Sequence, residues 1–417
     1  MRFQAPRGTE DVLPGDSYRR RRLENEFLAL AERYGYREIR TPVFEDTELF
    51  VRSSGETSDI VTKQMYTFLD KGDRSLTLKP EGTAPAMRAV IEHNLCPPGS
   101  VARLSYVTQI FRYERPQKGR LRQAHQVGLE LVGSEAPEAD AEVIELTVRF
   151  YERLGLEATV LLNSLGRETC RAAYREALLA FAKPLLQDLP EEVRARAEAN
   201  PLRLMDSKDP KMIAAMAEAP TIETCWEPEA RERHERVVAL LDEAGVRHGF
   251  EPALVRGLDY YTETVFEVQS EAIGAQSALC GGGRYDGLVK ELGGPATPAV
   301  GVAMGIERAL LAMEAAGVCW SEPGADAFAI AMPGCEGALR DQVRALRADG
   351  IRVLVDLEAR SFNAQLRQAG KSGARFAMIL GDDELASGTA TLRDLASGEQ
   401  RQVPFDEVAR TLRETIG

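Results

Sequence analysis

Two strand-like segments, 101–114 and 122–132, flank the short charged stretch RPQKGRLR, and this arrangement constrains the fold more than any other feature of the chain. A proline, a glycine and several charges between two strands make an exposed hairpin loop, so the segments pair antiparallel in a sheet. Within RQAHQVGLELV the residues alternate: Gln126, Gly128 and Glu130 share one face, and His125, Val127, Leu129 and Leu131 share the other. Two hydrogen-bonding side chains around a glycine leave room for a ligand between them. The preceding strand puts Arg112 and Glu114 on a common face beside the loop.

The rest of the chain sorts around this sheet. Residues 17–35 carry apolar side chains at helical spacing, with Gly35 as the stop. Residues 37–50 read as β-like around Pro42, and further strands are expected at 64–69 and 75–80. A helix is expected over 137–155, and 168–247, rich in Ala, Glu, Arg and Leu, reads as a helical insertion. Strand signals return at 252–268 and 276–284, and 301–317 reads as a strand running into a helix. After SEPGAD, strands alternate with helices before a hairpin-like end and a final helix, which predicts a separate α/β domain over 325–417 with a largely parallel sheet. The expected division is thus 1–324, containing the insertion, and 325–417.

A net charge of −13 argues against a protein that coats nucleic acid non-specifically, though not against local basic surfaces. Apolar stretches are short and broken by charges, and the first residues have no signal-peptide pattern, so the expectation is a cytoplasmic protein with no membrane partner. Six cysteines without C-x-x-C spacing favour neither a disulfide framework nor zinc, and are expected to be reduced and mostly buried. The four histidines form no H-E-x-x-H pattern, and no serine sits in a nucleophile motif. His125, facing away from Gln126 and Glu130, reads as a packed structural histidine. The run at 281–283, read alone, makes a turn, and it is not a P-loop. Arg112, Arg256 and Arg308 stand in contexts suited to gripping phosphate, since guanidinium is always charged and offers paired N–H donors.

Taken in order, RGTEDVLP, TPVFEDTELF, LKPEGTA, FRYERPQKGRLRQAHQVGLE, LVRGLDYYTETVFE, GGGRYDGL and AVGVAMGIER resemble the histidyl-tRNA synthetases, and RFAMILGDDELASGTATLRDLASGEQ resembles that family's anticodon-binding domain. The resemblance spans nearly the whole chain and is weakest over 168–247. It implies an α+β class II catalytic domain, an antiparallel sheet with helices, carrying a helical insertion and followed by a C-terminal α/β anticodon-binding domain. The implied reaction joins L-histidine to tRNA(His) through histidyl-adenylate, using ATP with Mg²⁺ and no tightly bound protein-ligated metal. TPVFEDTELF with its helix matches motif 1, which implies a homodimer.

By the same resemblance, Arg112 contacts the α-phosphate, Glu114 the adenine amino group, and Arg120 and Arg308 the outer phosphates. Glu81, Thr83 and Gln126 hold the α-amino end of histidine, Gly82 also binds histidine, and Arg256 bridges its carboxylate and the α-phosphate. Glu130, Tyr260 and Tyr261 line the imidazole pocket, with Tyr285 beside it. Lys79 and Gln64 depart from the family pattern, which has Arg and Glu there. The alternative is the synthetase-like, histidine-binding regulatory subunit of ATP phosphoribosyltransferase, whose members lack the C-terminal domain.

Overall fold

The computed structural model describes residues 3–55, 58–117, 119–187, 191, 194, 197–198, 201–205, 210–255, 260–276 and 278–416, in two compact units, Met1–Trp320 and Ser321–Gly417. In the first unit, helix α1 (Pro14–Arg33) starts three residues earlier than the apolar spacing suggests, because Pro14 suits the first turn, where its missing N–H costs nothing. Leu23, Phe27, Leu30 and Ala31 form its buried stripe, and Gly35 at φ +81° ends it.

The β-like reading of 37–50 needs correction. The segment divides into β1 (Arg37–Glu38), β2 (Phe44–Asp46) and helix α2 (Thr47–Ser54). The Asp46 carboxylate accepts from the Glu48 backbone N–H at 2.9 Å, so an N-cap turns the chain into a helix that buries Phe50. Strands β3 (Tyr66–Leu69) and β4 (Ser75–Leu78) join β2 in a small sheet of order β2-β4-β3, and helix α3 (Thr83–Glu92) follows.

The main sheet comprises β5 (Ala102–Phe111), β6 (Gln123–Val132), β7 (Thr159–Ser164), β8 (His248–Phe250), β9 (Thr262–Gln269), β10 (Ala278–Arg284), β11 (Ala299–Gly305) and β1. Among the described residues its order is β1-β5-β6-β11-β10-β9-β7-β8, antiparallel except at its two edge pairs. The hairpin β5–β6 forms as expected. However, β5 ends at Phe111, so Arg112 and Glu114 lie beyond the strand rather than on its face: there Tyr113 N–H bonds to the Gln64 carbonyl and leaves the ladder. The glycine run 281–283 is no turn. It is the middle of β10, paired on both sides by β9 and β11. Of the strand expected over 252–268, residues 252–255 lie outside any strand, 256–259 lie outside the described residues and β9 takes up Thr262–Gln269; β7, which the periodicity does not reveal, completes the sheet beside β9. Helix α4 (Pro137–Arg153) packs on the core face, where Phe27 and Phe150 meet edge to face at 5.4 Å.

Among the described residues the insertion is helical, with α5 (Glu168–Leu186), α6 (Pro210–Met216) and α7 (Pro228–Glu243). Ala182, Leu186, Leu204, Met212 and Met216 give it a small core of its own. Strand β11 runs straight into a helix at Ile306–Ala315, as expected.

In the second unit, β12 (Ala327–Ala331), β13 (Val353–Val355), β14 (Phe376–Leu380), β15 (Thr389–Asp394) and β16 (Gln400–Pro404) form a sheet of order β13-β12-β14-β15-β16. Only β12 pairs in parallel, with β13 and β14; β14–β15 and β15–β16 are antiparallel. The sheet is therefore mixed rather than largely parallel. The short turn between Asp394 and Gln400 has no room for the crossover that a parallel pairing needs.

Candidate active site

Residues directly opposite in a sheet share a face, so its register maps the site. Tyr106 lies opposite Gly128, Gly128 opposite Ala303, Ala303 opposite Gly281 and Gly281 opposite Glu267. The next row on this face holds Glu130, Gly301 and Gly283, and Gln126 faces Gly305. Gly128, Gly301, Ala303, Gly305, Gly281 and Gly283 therefore make this face a floor of small residues, which lets bulky side chains from neighbouring elements lie against the backbone. Gln126, Glu130, Glu267 and Tyr106 stand around it.

Glu130 is fully buried. It accepts hydrogen bonds from the Tyr106 hydroxyl at 3.0 Å and from the Tyr285 hydroxyl. Burial pushes its carboxyl up to about 8, against the hydroxyls of Tyr285, Thr83 and Tyr106, which pull it down. The glycines beside it are required by space: a Cβ at Gly301 would meet the Glu130 carboxylate and the Tyr285 hydroxyl, and a Cβ at Gly82 or Gly128 would enter the Tyr106 ring. The room that sequence alternation assigns to a ligand over Gly128 is thus filled by Tyr106. Sequence reading missed this residue. The signal was available, since a hairpin centred on Gln117 pairs 106 with 128.

The rings of Tyr260 and Tyr261 are 4.7 Å apart and those of Tyr260 and Tyr285 5.4 Å, which completes an aromatic wall around Glu130. Glu81, also buried, accepts from the backbone N–H groups of Thr83 (2.6 Å) and Ala84 (2.9 Å) at the start of α3. Burial nonetheless raises its carboxyl, with those hydrogen bonds and the Arg112 charge opposing. Glu81, Gly82, Thr83, Glu130, Tyr260, Tyr261 and Tyr285 thus converge. The buried Oε1 of Gln126 has no hydrogen-bond partner among the described residues, as a ligand-binding amide would.

The cationic group lies at the loop end of the sheet. Arg112 donates through Nε to the Pro80 carbonyl at 2.7 Å, Arg120 lies 3.7 Å from Glu114, and Arg308 donates to the Ala278 carbonyl. Burial and the neighbouring Arg120 charge both lower the Arg308 guanidinium, while Glu267 raises it. Two cations near enough to repel each other suit a polyanion. Arg256 lies outside the described residues.

His125 is on the reverse face, where its Nδ1 is 2.8 Å from Glu307 Oε1 and from Arg20 Nη1, a packed structural role as expected. A cavity of about 560 Å³ opens on that side, lined by Glu10, Arg20, Gln117, Leu311, Glu307 and Trp320 among others, away from the small-residue floor. The two departures from the family pattern are local. Buried Lys79 gives its ammonium to Thr41, and burial lowers it to about 8, while Gln64 contributes its backbone carbonyl to Tyr113. Cys96, Cys170, Cys280 and Cys335 are buried, Cys225 intermediate and Cys319 exposed. Among the described residues no helix is long and apolar enough to cross a membrane.

An antiparallel sheet bearing a small-residue floor, with arginines after its hairpin strand and at the head of the following helix, defines the catalytic unit of class II aminoacyl-tRNA synthetases. The histidyl-tRNA synthetase family model matches residues 8–309, and an anticodon-binding domain model matches 331–415. The histidine–tRNA ligase of Geobacillus kaustophilus is 48% identical over 425 residues, covering 100% of this chain and 99% of the relative. That of Moorella thermoacetica is 48% identical over 414 residues, covering 98% and 97%. The crystal structure of apo S. aureus histidyl-tRNA synthetase superposes with a TM-score of 0.84 at 36% identity, covering 99% of this chain and 100% of that one. The chain belongs to the histidyl-tRNA synthetase family. The matched anticodon-binding domain sets it apart from the regulatory-subunit alternative.

Proposed function

We propose that the protein activates L-histidine with ATP and transfers it from histidyl-adenylate to tRNA(His). The observation that carries this reading is the buried Glu130 carboxyl, held by two tyrosine hydroxyls inside an aromatic wall. It gives an imidazole N–H an acceptor and its ring flat neighbours. Such a site rejects apolar analogues, because they leave its buried polar groups unpaired.

In the first step the histidine carboxylate attacks the α-phosphorus in line and pyrophosphate leaves. Arg112 takes the α-phosphate, Glu114 the adenine amino group, and Arg120 and Arg308 the outer phosphates. Glu81, Thr83 and Gln126 hold the α-amino end, and Arg256 bridges carboxylate and α-phosphate. In the second step the terminal ribose of the tRNA takes the aminoacyl group and AMP leaves. No protein nucleophile is required, so the chain contributes position and charge.

Mg²⁺ accompanying ATP would offset the charge of the departing pyrophosphate. Glu267, on the same face and within electrostatic reach of Arg308, is the carboxylate suited to hold it. We infer a homodimer built on the motif 1 region, and a cytoplasmic location, where charged tRNA is used. The test is ATP–pyrophosphate exchange with each of the twenty amino acids. Histidine alone should support it, and exchange driven by another amino acid would overturn the reading.

A further inference from the structure

The segment carrying Tyr260 and Tyr261 is gripped from the helical insertion. Arg171 on α5 donates through Nη1 to the Tyr261 carbonyl at 3.0 Å. Arg233 on α7 lies 2.7 Å from Glu263, and Arg167, just before α5, reaches the same carboxylate at 3.4 Å. Glu263 has φ +43°, a left-handed conformation at a residue that is not glycine. Its N–H donates to the Gly166 carbonyl at 3.1 Å, and its carbonyl accepts from Leu165 N–H at 2.7 Å, both in the lead into α5. Such backbone persists only where the surroundings over-determine it.

The same network touches a second wall of the pocket. Arg233 also pairs with Asp140 at 2.6 Å, and Asp140 pairs with the fully buried Arg284 at 2.7 Å. Arg284 directly precedes Tyr285, whose hydroxyl reaches Glu130. Asp286, the residue after it, also binds Arg284, at 3.0 Å. Two helices outside the sheet therefore hold the chain on both sides of the aromatic wall. The arginines suited to phosphate stand on other elements.

We infer that the helical insertion sets the geometry of the amino-acid pocket through Arg171 and Arg233, which act as positioning residues for histidine. The inference rests on the reading of this pocket as the histidine site. Without the grip, the backbone at Glu263 relaxes toward ordinary values and carries Tyr260 and Tyr261 away from Glu130. The loss falls on amino-acid binding, with nucleotide binding spared.

The experiment uses full-length Arg171→Met, Arg171→Lys and Arg233→Lys in ATP–pyrophosphate exchange, with thermal midpoints recorded. Arg171→Met should raise the histidine KM about tenfold while the ATP KM and kcat stay within about twofold, the pattern of lost uniform binding. Arg171→Lys should recover most of that loss. Arg233→Lys keeps a charge but cannot span Asp140 and Glu263 together, so it should show the same split. Unchanged histidine KM in Arg171→Met overturns the inference, as does a rise in both KM values with a parallel fall in kcat, which marks a merely structural role. Arg171 sits at the rim of the network, so its variants decide the matter even if Arg233→Lys fails to fold. Wild-type exchange with an amino acid other than histidine would refute the substrate reading instead. The clamp would then be judged by the same KM split for that amino acid.

Discussion

Glu130 couples the chemistry of the pocket to its stability. Burial carries its carboxyl from the ordinary 4.5 to about 8. Below about 4.5 the folded and unfolded chains both hold the proton; between there and about 8 the unfolded chain releases it while the folded chain keeps it. The folded state binds more protons, so rising pH costs stability across that window and no more beyond it. Glu130→Gln cannot ionise, so its thermal midpoint should gain on the wild type steadily from about pH 4.5 to about 8 and then run level. A constant difference would show that the carboxyl is already ionised in the folded protein. Gly128→Ala probes the same spot by volume. Its Cβ would enter the Tyr106 ring, and overpacking of this kind costs about 1–3 kcal/mol. Calorimetry should show that loss, and in a Tyr106→Ala background the same Gly128→Ala substitution should cost less. A stable Gly128→Ala single variant would mean that Tyr106 has space to withdraw.

At the scale of elements, the sequence was most legible where a period ran undisturbed. The β5–β6 hairpin, α1, α4 and the strand-to-helix passage at 299–315 follow from alternation, helical spacing and turn residues. Legibility failed where a local or tertiary choice overrode the pattern. The Asp46 cap makes TELF helical, the neighbours β9 and β11 make a strand of a glycine run, and β7 is a short run whose partners lie far off in sequence. The site residues on one strand could be read from alternation, but Tyr106 and Glu267 need the cross-strand register. Another link invisible to periodicity joins α1 to the helix Ile306–Ala315. Arg20 and Glu307 lie 2.7 Å apart with little exposure, and His125 donates its backbone N–H to Glu307. Burial would raise the Glu307 carboxyl, but the hydrogen bonds from the His125 ring and backbone outweigh it and hold the group below its ordinary value. Removing one partner of a buried pair strands the other, so Glu307→Ala should lose about 3–5 kcal/mol in denaturant unfolding. A loss within the surface range, under about 1 kcal/mol, would show that the pair is solvated.

The whole molecule poses the question of assembly, and the small sheet of the first unit bears on it. Its register places Phe44, Tyr66, Phe68, Leu76 and Leu78 on one face, with the rings of Phe44 and Phe68 6.4 Å apart. The opposite face is spent internally: Thr47, Thr67 and Thr77 share hydroxyl hydrogen bonds there, beside α2. Phe44 and Phe68 are 47% and 43% exposed, an apolar surface of the kind that marks an interface. A second copy of this chain is the partner the motif 1 resemblance implies. The consequence for activity follows from chain order. Strand β4 ends at Leu78 on the apolar face, and Glu81, Gly82 and Thr83 follow at once, so support for β4 is support for the residues proposed to hold the α-amino end of histidine. Phe44→Asp with Phe68→Asp should therefore give a folded monomer with weakened histidine binding, because each buried phenylalanine contributes about 1.5–3 kcal/mol and a buried unpaired charge reverses the sign. Sedimentation should find the wild type at twice 45.9 kDa and the double variant at that mass alone. A wild-type monomer with full exchange activity at working concentration would leave this face without a role in the site. A variant that dissociates yet keeps its histidine KM would separate assembly from catalysis.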